Sequence, residues 1–109
     1  DRDWHGRVWL NPPYGNEAVD WMRCMAYHDN GIAILFARTE TKMFFESVWE
    51  EATAVLFLKG RIHFHGADGI KAPANAGGPT CLIAYGPDNA DALRNSGIHG
   101  AYLENWRSL

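Results

Sequence analysis

The sequence predicts an α/β fold with a mostly parallel sheet and an antiparallel hairpin at its C-terminal end. A short run of β-branched and aromatic residues at 7–10 predicts one strand, and a continuously apolar run at 32–37 predicts a strand buried on both faces. An amphipathic pattern at 17–27 predicts a helix between them. Because strand, helix and strand at this spacing form a βαβ unit, we expect the two strands to be parallel.

The predicted helix is supported by its ends as well as by its apolar stripe. Asn16 is a suitable N-cap, and Gly31 follows the last turn, where glycine commonly ends a helix. The apolar residues at helical spacing are Ala18, Val19, Met22, Met25 and Ala26. We expect this stripe to pack in the core and not to bind a cofactor.

A polar turn follows the second strand and consists of Arg38, Thr39, Glu40 and Thr41. Parallel strands end at the same edge of a sheet, so this turn is a candidate second wall of a site at the end of the first strand. Two plainer interpretations stay open: Thr39 or Thr41 caps the next helix, and Arg38 is a solvated charge. That helix is predicted from the apolar stripe Phe44, Phe45, Val48, Trp49 and Ala52.

The C-terminal half continues with short strands and one long loop. The apolar pattern predicts a strand at 54–58, a tight turn into a hairpin strand at 62–65, and a last core strand at 80–85, antiparallel and at the end of the sheet. Residues 66–78 are rich in Gly, Ala and Pro and predict a long loop. A short helix is predicted at 90–95, and an edge strand at 97–103.

Two prolines stop the first strand abruptly, in the run Asn11-Pro12-Pro13-Tyr14. Pro12 forces Asn11 out of the helical region, and each proline ring fixes φ and removes an N–H donor. The turn therefore presents oxygen acceptors in set directions. If the Asn11 amide oxygen and the Pro12 carbonyl accept from one amino group, its lone pair stays available for attack, and Tyr14 offers a flat face for a ring. The run predicts a pocket for an amino group on a planar ring.

Composition limits the class of protein. With 109 residues, 47% of them hydrophobic, the chain is expected to form a single domain over 1–109 and to be ordered. No apolar run is long enough to span a bilayer, so we expect a soluble, cytoplasmic protein without a membrane partner. Cys24 and Cys81 lack metal-ligand spacing and are expected to be buried thiols. The net charge of −3 indicates that any nucleic-acid contact is local.

One compact cationic group follows the 54–58 strand and consists of Lys59, Arg61, His63 and His65. Alternation places Arg61 and the two histidines on one face of the hairpin strand. No carboxylate or thiol lies near in sequence to complete a metal site, so no metal is expected. Phosphate contact is the functional interpretation, and plain solvation is its alternative.

Four ordered blocks of sequence resemble the phage-type DNA N6-adenine methyltransferases of the Dam family. The resemblance runs from Trp4 to about Tyr85. It includes the first block at 4–15, Trp21, the block at 37–45 and the block at 59–64. The tetrapeptide alone is shared with methyltransferases acting on glutamine amides or RNA bases, and the ordered set of blocks is more specific.

The resemblance implies a Rossmann-like, S-adenosylmethionine-dependent methyltransferase sheet that is incomplete at the N-terminus. It implies that adenine is flipped out of DNA, stacked on Tyr14 and held by Asn11 and Pro12 while N6 attacks the methyl group. The implied catalytic residues are Asn11, Pro12, Pro13 and Tyr14. Asn11 and Pro12 would also contact the cofactor, with the remaining contacts upstream of Asp1. The candidate substrate- and DNA-binding residues are Tyr14, Arg38, Thr39, Thr41, Lys59, Arg61 and His63.

Two alternatives stay open from the residues alone. The same chemistry could serve an RNA base or a protein amide. The chain could also be a non-catalytic α/β binding module in which the Asn-Pro-Pro-Tyr run only ends a strand.

Overall fold

A computed structural model of the chain describes residues 4–13, 15–60 and 78–107. The strands within this part are β1 (Val8–Leu10), β2 (Gly31–Phe36), β3 (Ala54–Leu58), β4 (Thr80–Tyr85) and β5 (Gly100–Glu104). The helices are α1 (Asn16–His28), α2 (Lys42–Phe44) and α3 (Pro87–Arg94), and a π-helical turn (Phe45–Trp49) continues α2. The described strands form a single five-stranded sheet in the order β1-β2-β4-β3-β5.

The prediction of a mostly parallel, Rossmann-like sheet is wrong. Only β1 and β2 pair in parallel, whereas β4 pairs antiparallel with both β2 and β3, and β5 pairs antiparallel with β3. The error arose at β4, which was expected at the end of the sheet and instead lies between β2 and β3. All six of its residues are buried. Burial on both faces is a property of any central strand, so an apolar run alone does not distinguish parallel from antiparallel neighbours.

The strands β1, β2 and β3 nevertheless run in one direction, because β4 is antiparallel to both β2 and β3. Their carboxyl ends lie at the same edge of the sheet. In the β1–β2 register Leu10 is opposite Ala33, and β2 continues beyond that pair to Phe36. The expected adjacency of the turn at 38–41 and the end of β1 is therefore confirmed.

Helices cover the two faces of the sheet unequally. One face packs against α1 and the π-helical turn, and its buried cluster is Leu10, Met22, Met25, Ala33, Leu35, Phe44, Val48, Ala52, Val55, Cys81, Ile83 and Tyr85. The other face packs mainly against α3, with the smaller cluster Ala54, Leu56, Leu82, Ala84, Ala90 and Leu93. The predicted apolar stripe of α1 is confirmed, since Ala18, Met22 and Met25 are buried.

The second predicted helix exists but changes its winding. After α2 the backbone widens, and the Glu50 N–H donates to the Phe45 carbonyl at 3.0 Å, a spacing of five residues. The hydroxyl of Tyr85 donates to the carbonyl of Ser47 inside this turn. Burial raises the pKa of Tyr85 above its ordinary range, so the hydroxyl stays protonated and keeps donating.

The predicted hairpin strand at 62–65 lies outside the described residues, as does all of the predicted loop at 66–78 except Gly78. The other predictions concern the cysteines, the last strand and helix, and the membrane. No disulfide joins Cys24 and Cys81; Cys81 is buried as expected, and Cys24 is half-buried. The predicted edge strand is confirmed as β5, and the predicted short helix is α3. None of the helices in the described ranges is long and apolar enough to cross a bilayer.

Candidate functional site

A cavity of about 510 Å³ opens at the carboxyl ends of β1 and β2. Its walls come from four places: the turn after β1, the first turns of α1, the end of β2, and the segment that begins α2. The lining residues are Pro12, Gly15, Ala18, Val19, Leu35, Phe36, Arg38, Thr41 and Met43. The volume lies within the range of about 300–1,000 Å³ that is common for small-molecule sites.

The residues of the turn after β1 differ in burial and in whether they line the cavity. Leu10 is buried in the core, Pro12 is buried and lines the cavity, and Asn11 and Pro13 are exposed. Asn11 is not among the lining residues, although it directly precedes Pro12, which is. Tyr14 lies outside the described residues.

The turn at 38–41 forms the opposite wall through Arg38 and Thr41. The Thr41 hydroxyl donates to the Arg38 carbonyl at 2.9 Å and accepts from the Phe44 N–H at 3.2 Å. The capping interpretation of Thr41 is thus confirmed, and the same residue lines the cavity. The Arg38 guanidinium is exposed and lies 5.5 Å from the centre of the Phe36 ring, within the range of a cation–π contact.

Thr39 is near the cavity but contributes through its backbone. Its carbonyl accepts a hydrogen bond of 3.1 Å from the indole nitrogen of Trp49. The Thr39 side chain is half-buried and does not line the cavity. Of the two threonines predicted for this wall, the structure therefore places only Thr41 against the cavity.

The predicted cationic group is only partly described. Lys59 is exposed, just beyond the end of β3, at the same edge of the sheet as the cavity. Because β4 lies between β2 and β3, Lys59 is two strand spacings, or about 10 Å, along that edge from the end of β2. Arg61, His63 and His65 lie outside the described residues.

Sequence reasoning missed the apolar part of the cavity. Ala18 and Val19 were assigned to core packing, and Leu35, Phe36 and Met43 were not predicted as site residues. Apolar side chains that line a cavity have the same periodicity as those that fill a core, so their pattern carries no separate signal. Gly15 carries no predicted role in the site, but its φ of +95° at the start of α1 is a conformation that favours glycine.

The chemical character of the cavity is mostly apolar, with a small number of polar groups at its rim. Such a site suits a flat ring that is oriented by a few hydrogen bonds. Among residues 4–13, 15–60 and 78–107, no group of three or more His, Cys, Asp or Glu side chains is placed to hold a metal ion.

Fold and site together define a mixed five-stranded sheet with helices on both faces, and a cavity of small-molecule size beside the Asn-Pro-Pro turn at the end of β1. The family model of the DNA N-6-adenine-methyltransferases (Dam) matches residues 1–88, and the chain belongs to this family. It is a DNA adenine-N6 methyltransferase. No curated protein and no solved structure matches the chain. The match includes every predicted site residue, whereas β5 and most of α3 lie beyond it.

Proposed function

We propose that the cavity receives an adenine flipped out of DNA, and that S-adenosylmethionine is the methyl donor. The observation that carries this proposal is the difference in burial between two neighbouring residues in the turn after β1. Pro12 is buried in the cavity wall, and the neighbouring Asn11 is exposed. A ring inside the cavity can therefore hold its exocyclic amino group against this turn.

Hydrogen bonding at the turn favours an amino group over a hydroxyl or a carbonyl. The Asn11 side-chain oxygen and the Pro12 carbonyl are acceptors, and neither Pro12 nor Pro13 has an N–H. Two acceptors bind the two N6 hydrogens of adenine and keep the nitrogen lone pair directed away from them. In this position the lone pair would attack the methyl carbon as the sulfonium C–S bond breaks, S-adenosylhomocysteine would leave, and the acidified N6 would release one proton to water. No strong general base is therefore required.

The walls of the cavity suit the adenine ring. Val19, Leu35 and Met43 provide apolar contacts, and the Phe36 ring lies beneath the Arg38 guanidinium. Tyr14, which is outside the described residues, is proposed to stack on the base by its resemblance to the family motif. Thr41 bounds the same space, and Thr39 is proposed to contact the substrate from the same turn.

The chain's own residues also fit a sulfonium cofactor at this turn. Carbonyl and amide oxygens attract a positive sulfonium and its polarised methyl hydrogens, and Asn11 and Pro12 supply such oxygens next to the cavity. When bound, S-adenosylmethionine supplies the electrophilic methyl group. We assign Asn11 and Pro12 to the point where cofactor and base meet, with Pro13 holding the turn rigid.

Contact with the DNA backbone is proposed for the exposed cations at this edge. Arg38 lies at the cavity, Lys59 lies further along the same edge, and Arg61 and His63 follow Lys59 in sequence. Because the net charge is −3, these contacts act locally and not through a general attraction to DNA. We propose that the protein acts in the cytoplasm, which for a phage-encoded protein is that of the bacterial host.

A methyl-transfer assay tests the proposal. The chain is incubated with tritiated S-adenosylmethionine and, in parallel, unmethylated plasmid, RNA and a protein mixture. We expect label in the plasmid, released as N6-methyladenine after digestion, and saturable cofactor binding by calorimetry. Label in RNA or protein alone would refute the DNA acceptor, and an absence of cofactor binding would refute the donor.

A further inference from the structure

Trp49, the last residue of the π-helical turn, contacts the wall of the cavity without lining it. Its indole N–H donates to the Thr39 carbonyl at 3.1 Å. The adjacent Arg38 carbonyl accepts from the Thr41 hydroxyl at 2.9 Å. Two successive carbonyls of the 38–41 turn are thus held by side chains, and this backbone carries Arg38 to the cavity.

The carbonyl of Trp49 is held in turn by the end of the chain. It accepts hydrogen bonds from the Trp106 indole at 2.8 Å and from the Arg107 guanidinium at 2.6 Å. In an α-helix this carbonyl would accept from the Thr53 N–H, which here donates to Ala84 at 2.8 Å. Because the helix ends at Trp49, this carbonyl has no partner within the helix and is available to residues 106–107.

Aromatic packing fixes the Trp49 ring in the same place. Its centroid lies 5.3 Å from that of Trp106 and 5.4 Å from that of Phe44, both in edge-to-face orientations. Phe57 of β3 packs at 6.4 Å. With its ring held by three aromatic neighbours, the indole nitrogen has little freedom to leave Thr39.

We propose that Trp49 is a positioning residue that orients Arg38 for substrate binding, and that Trp106 and Arg107 support it. Both supporting residues lie beyond the family match at 1–88. The inference rests on the proposed function, because it assigns to Arg38 a contact with DNA. It adds that the C-terminal segment contributes to that contact indirectly, through Trp49 and the 38–41 turn.

The test uses the full chain with Trp49→Phe, which keeps an aromatic ring in the cluster, removes the indole donor and makes the side chain smaller. Tyr102→Phe is the matched control, since it removes a hydroxyl that donates to Glu104 at 2.7 Å, on the α3 side of the molecule. We expect Trp49→Phe to accelerate hydrogen exchange in the segment 38–45 about fivefold, the size of one lost hydrogen bond. We expect a similar loss of affinity for a short unmethylated plasmid fragment in filter binding. Tyr102→Phe should change neither.

A double-mutant cycle separates positioning from general support of the fold. If Trp49 acts by orienting Arg38, then Trp49→Phe costs affinity in the wild-type background and almost none in an Arg38→Ala background. Full additivity of the two losses would overturn the proposal, as would unchanged exchange in 38–45. If Arg38→Ala binds the fragment normally, the proposed DNA contact of Arg38 fails and the positioning role fails with it. That case is identified when Trp49→Phe accelerates hydrogen exchange in 38–45 while Arg38→Ala binds the fragment as tightly as the wild type.

Trp106→Phe provides a second variant if Trp49→Phe does not fold. It removes one of the two donors to the Trp49 carbonyl and leaves Arg107 in place. We expect exchange in 38–45 to rise by about twofold, less than for loss of the direct bond. Exchange that matches the Tyr102→Phe control would overturn the supporting role of the C-terminal segment.

Discussion

Burial alternates along the chain at the Asn-Pro-Pro turn, so adjacent residues have different surroundings. Leu10 and Pro12 are buried, and Asn11 between them is exposed. The amide can therefore be changed without opening the core, whereas Pro12 belongs to both the cavity wall and the backbone geometry. This separation makes Asn11 a position at which chemistry and folding can be tested independently.

Thr41 shows that two interpretations of one residue can hold together. Its hydroxyl caps the helix that begins at Lys42, and its side chain lines the cavity. Sequence reasoning treated capping and a place in the site as alternatives. At the start of a helix that borders a cavity, a capping side chain is also part of the cavity wall.

Thr41→Ala is expected to destabilise the chain by about 1 kcal/mol, because it leaves the Phe44 N–H without its capping oxygen. Thr41→Ser keeps the hydroxyl and should lose only a fraction of that. Urea unfolding followed by circular dichroism measures both variants. Equal stability of the alanine and serine variants would contradict the capping role.

At the scale of elements, the edge of the sheet that carries the cavity was predictable and the strand order was not. The edge that carries the site depends on β1 and β2 running in parallel, which the strand–helix–strand pattern predicted and the register confirms. The position of β4 depends on pairing with β2 and β3, which are distant in sequence. Its apolar run fits a parallel or an antiparallel central strand equally well, so its sequence could not locate it.

The contact between β1 and β2 depends on Gly31. A Cβ at this position would lie 2.3 Å from the Val8 carbonyl and 2.9 Å from the Met25 sulfur. No side chain fits there unless β1, α1 or both move. Since β1 carries Asn11 and Pro12, Gly31 also sets the position of the site.

Gly31→Ala is expected to destabilise the chain by roughly 2–3 kcal/mol, toward the upper end of ordinary point mutations, because it forces β1 away from β2. Gly78→Ala is the matched control, since a Cβ there meets nothing within 4 Å. Denaturant midpoints compare the two. A Gly31→Ala chain as stable as the control would show that the strands separate at little cost.

For the whole molecule, long-range contacts were the part that sequence reasoning could not supply. Trp49 and Trp106 are 57 residues apart and meet through one hydrogen bond and one ring contact. The sequence pattern around Trp49 indicates only a helix stripe and gives no partner for that residue. The tetrapeptide, in contrast, could be interpreted locally, because proline geometry acts on immediate neighbours.

Alkaline pH is expected to weaken the whole fold through buried acids. Burial raises the pKa of Cys81 from 9.0 to about 12. Between these values the unfolded chain loses the thiol proton and the folded chain keeps it, so stability falls as pH rises through this window. Burial raises the pKa of Tyr85 as well, which extends the loss.

Urea midpoints measured from about pH 8 to about pH 11 should fall. Each buried acid lowers the free energy of unfolding by at most about 1.4 kcal/mol per pH unit. Cys81→Ala is expected to lower stability at pH 8 and to make the decline of stability with pH less steep above pH 9. An unchanged slope in this variant would show that the thiol does not contribute.

The catalytic role proposed for the Asn-Pro-Pro turn is tested most directly by measuring methyl transfer to unmethylated plasmid by Asn11→Ala. Asn95→Ala, an exposed asparagine after α3, is the matched control. Because Asn11 is exposed and outside the core, we expect Asn11→Ala to unfold at the same urea concentration as the wild type. Its turnover should fall by at least about a hundredfold, which is the effect of a misplaced reacting group. Wild-type turnover in a folded Asn11→Ala chain would contradict the account.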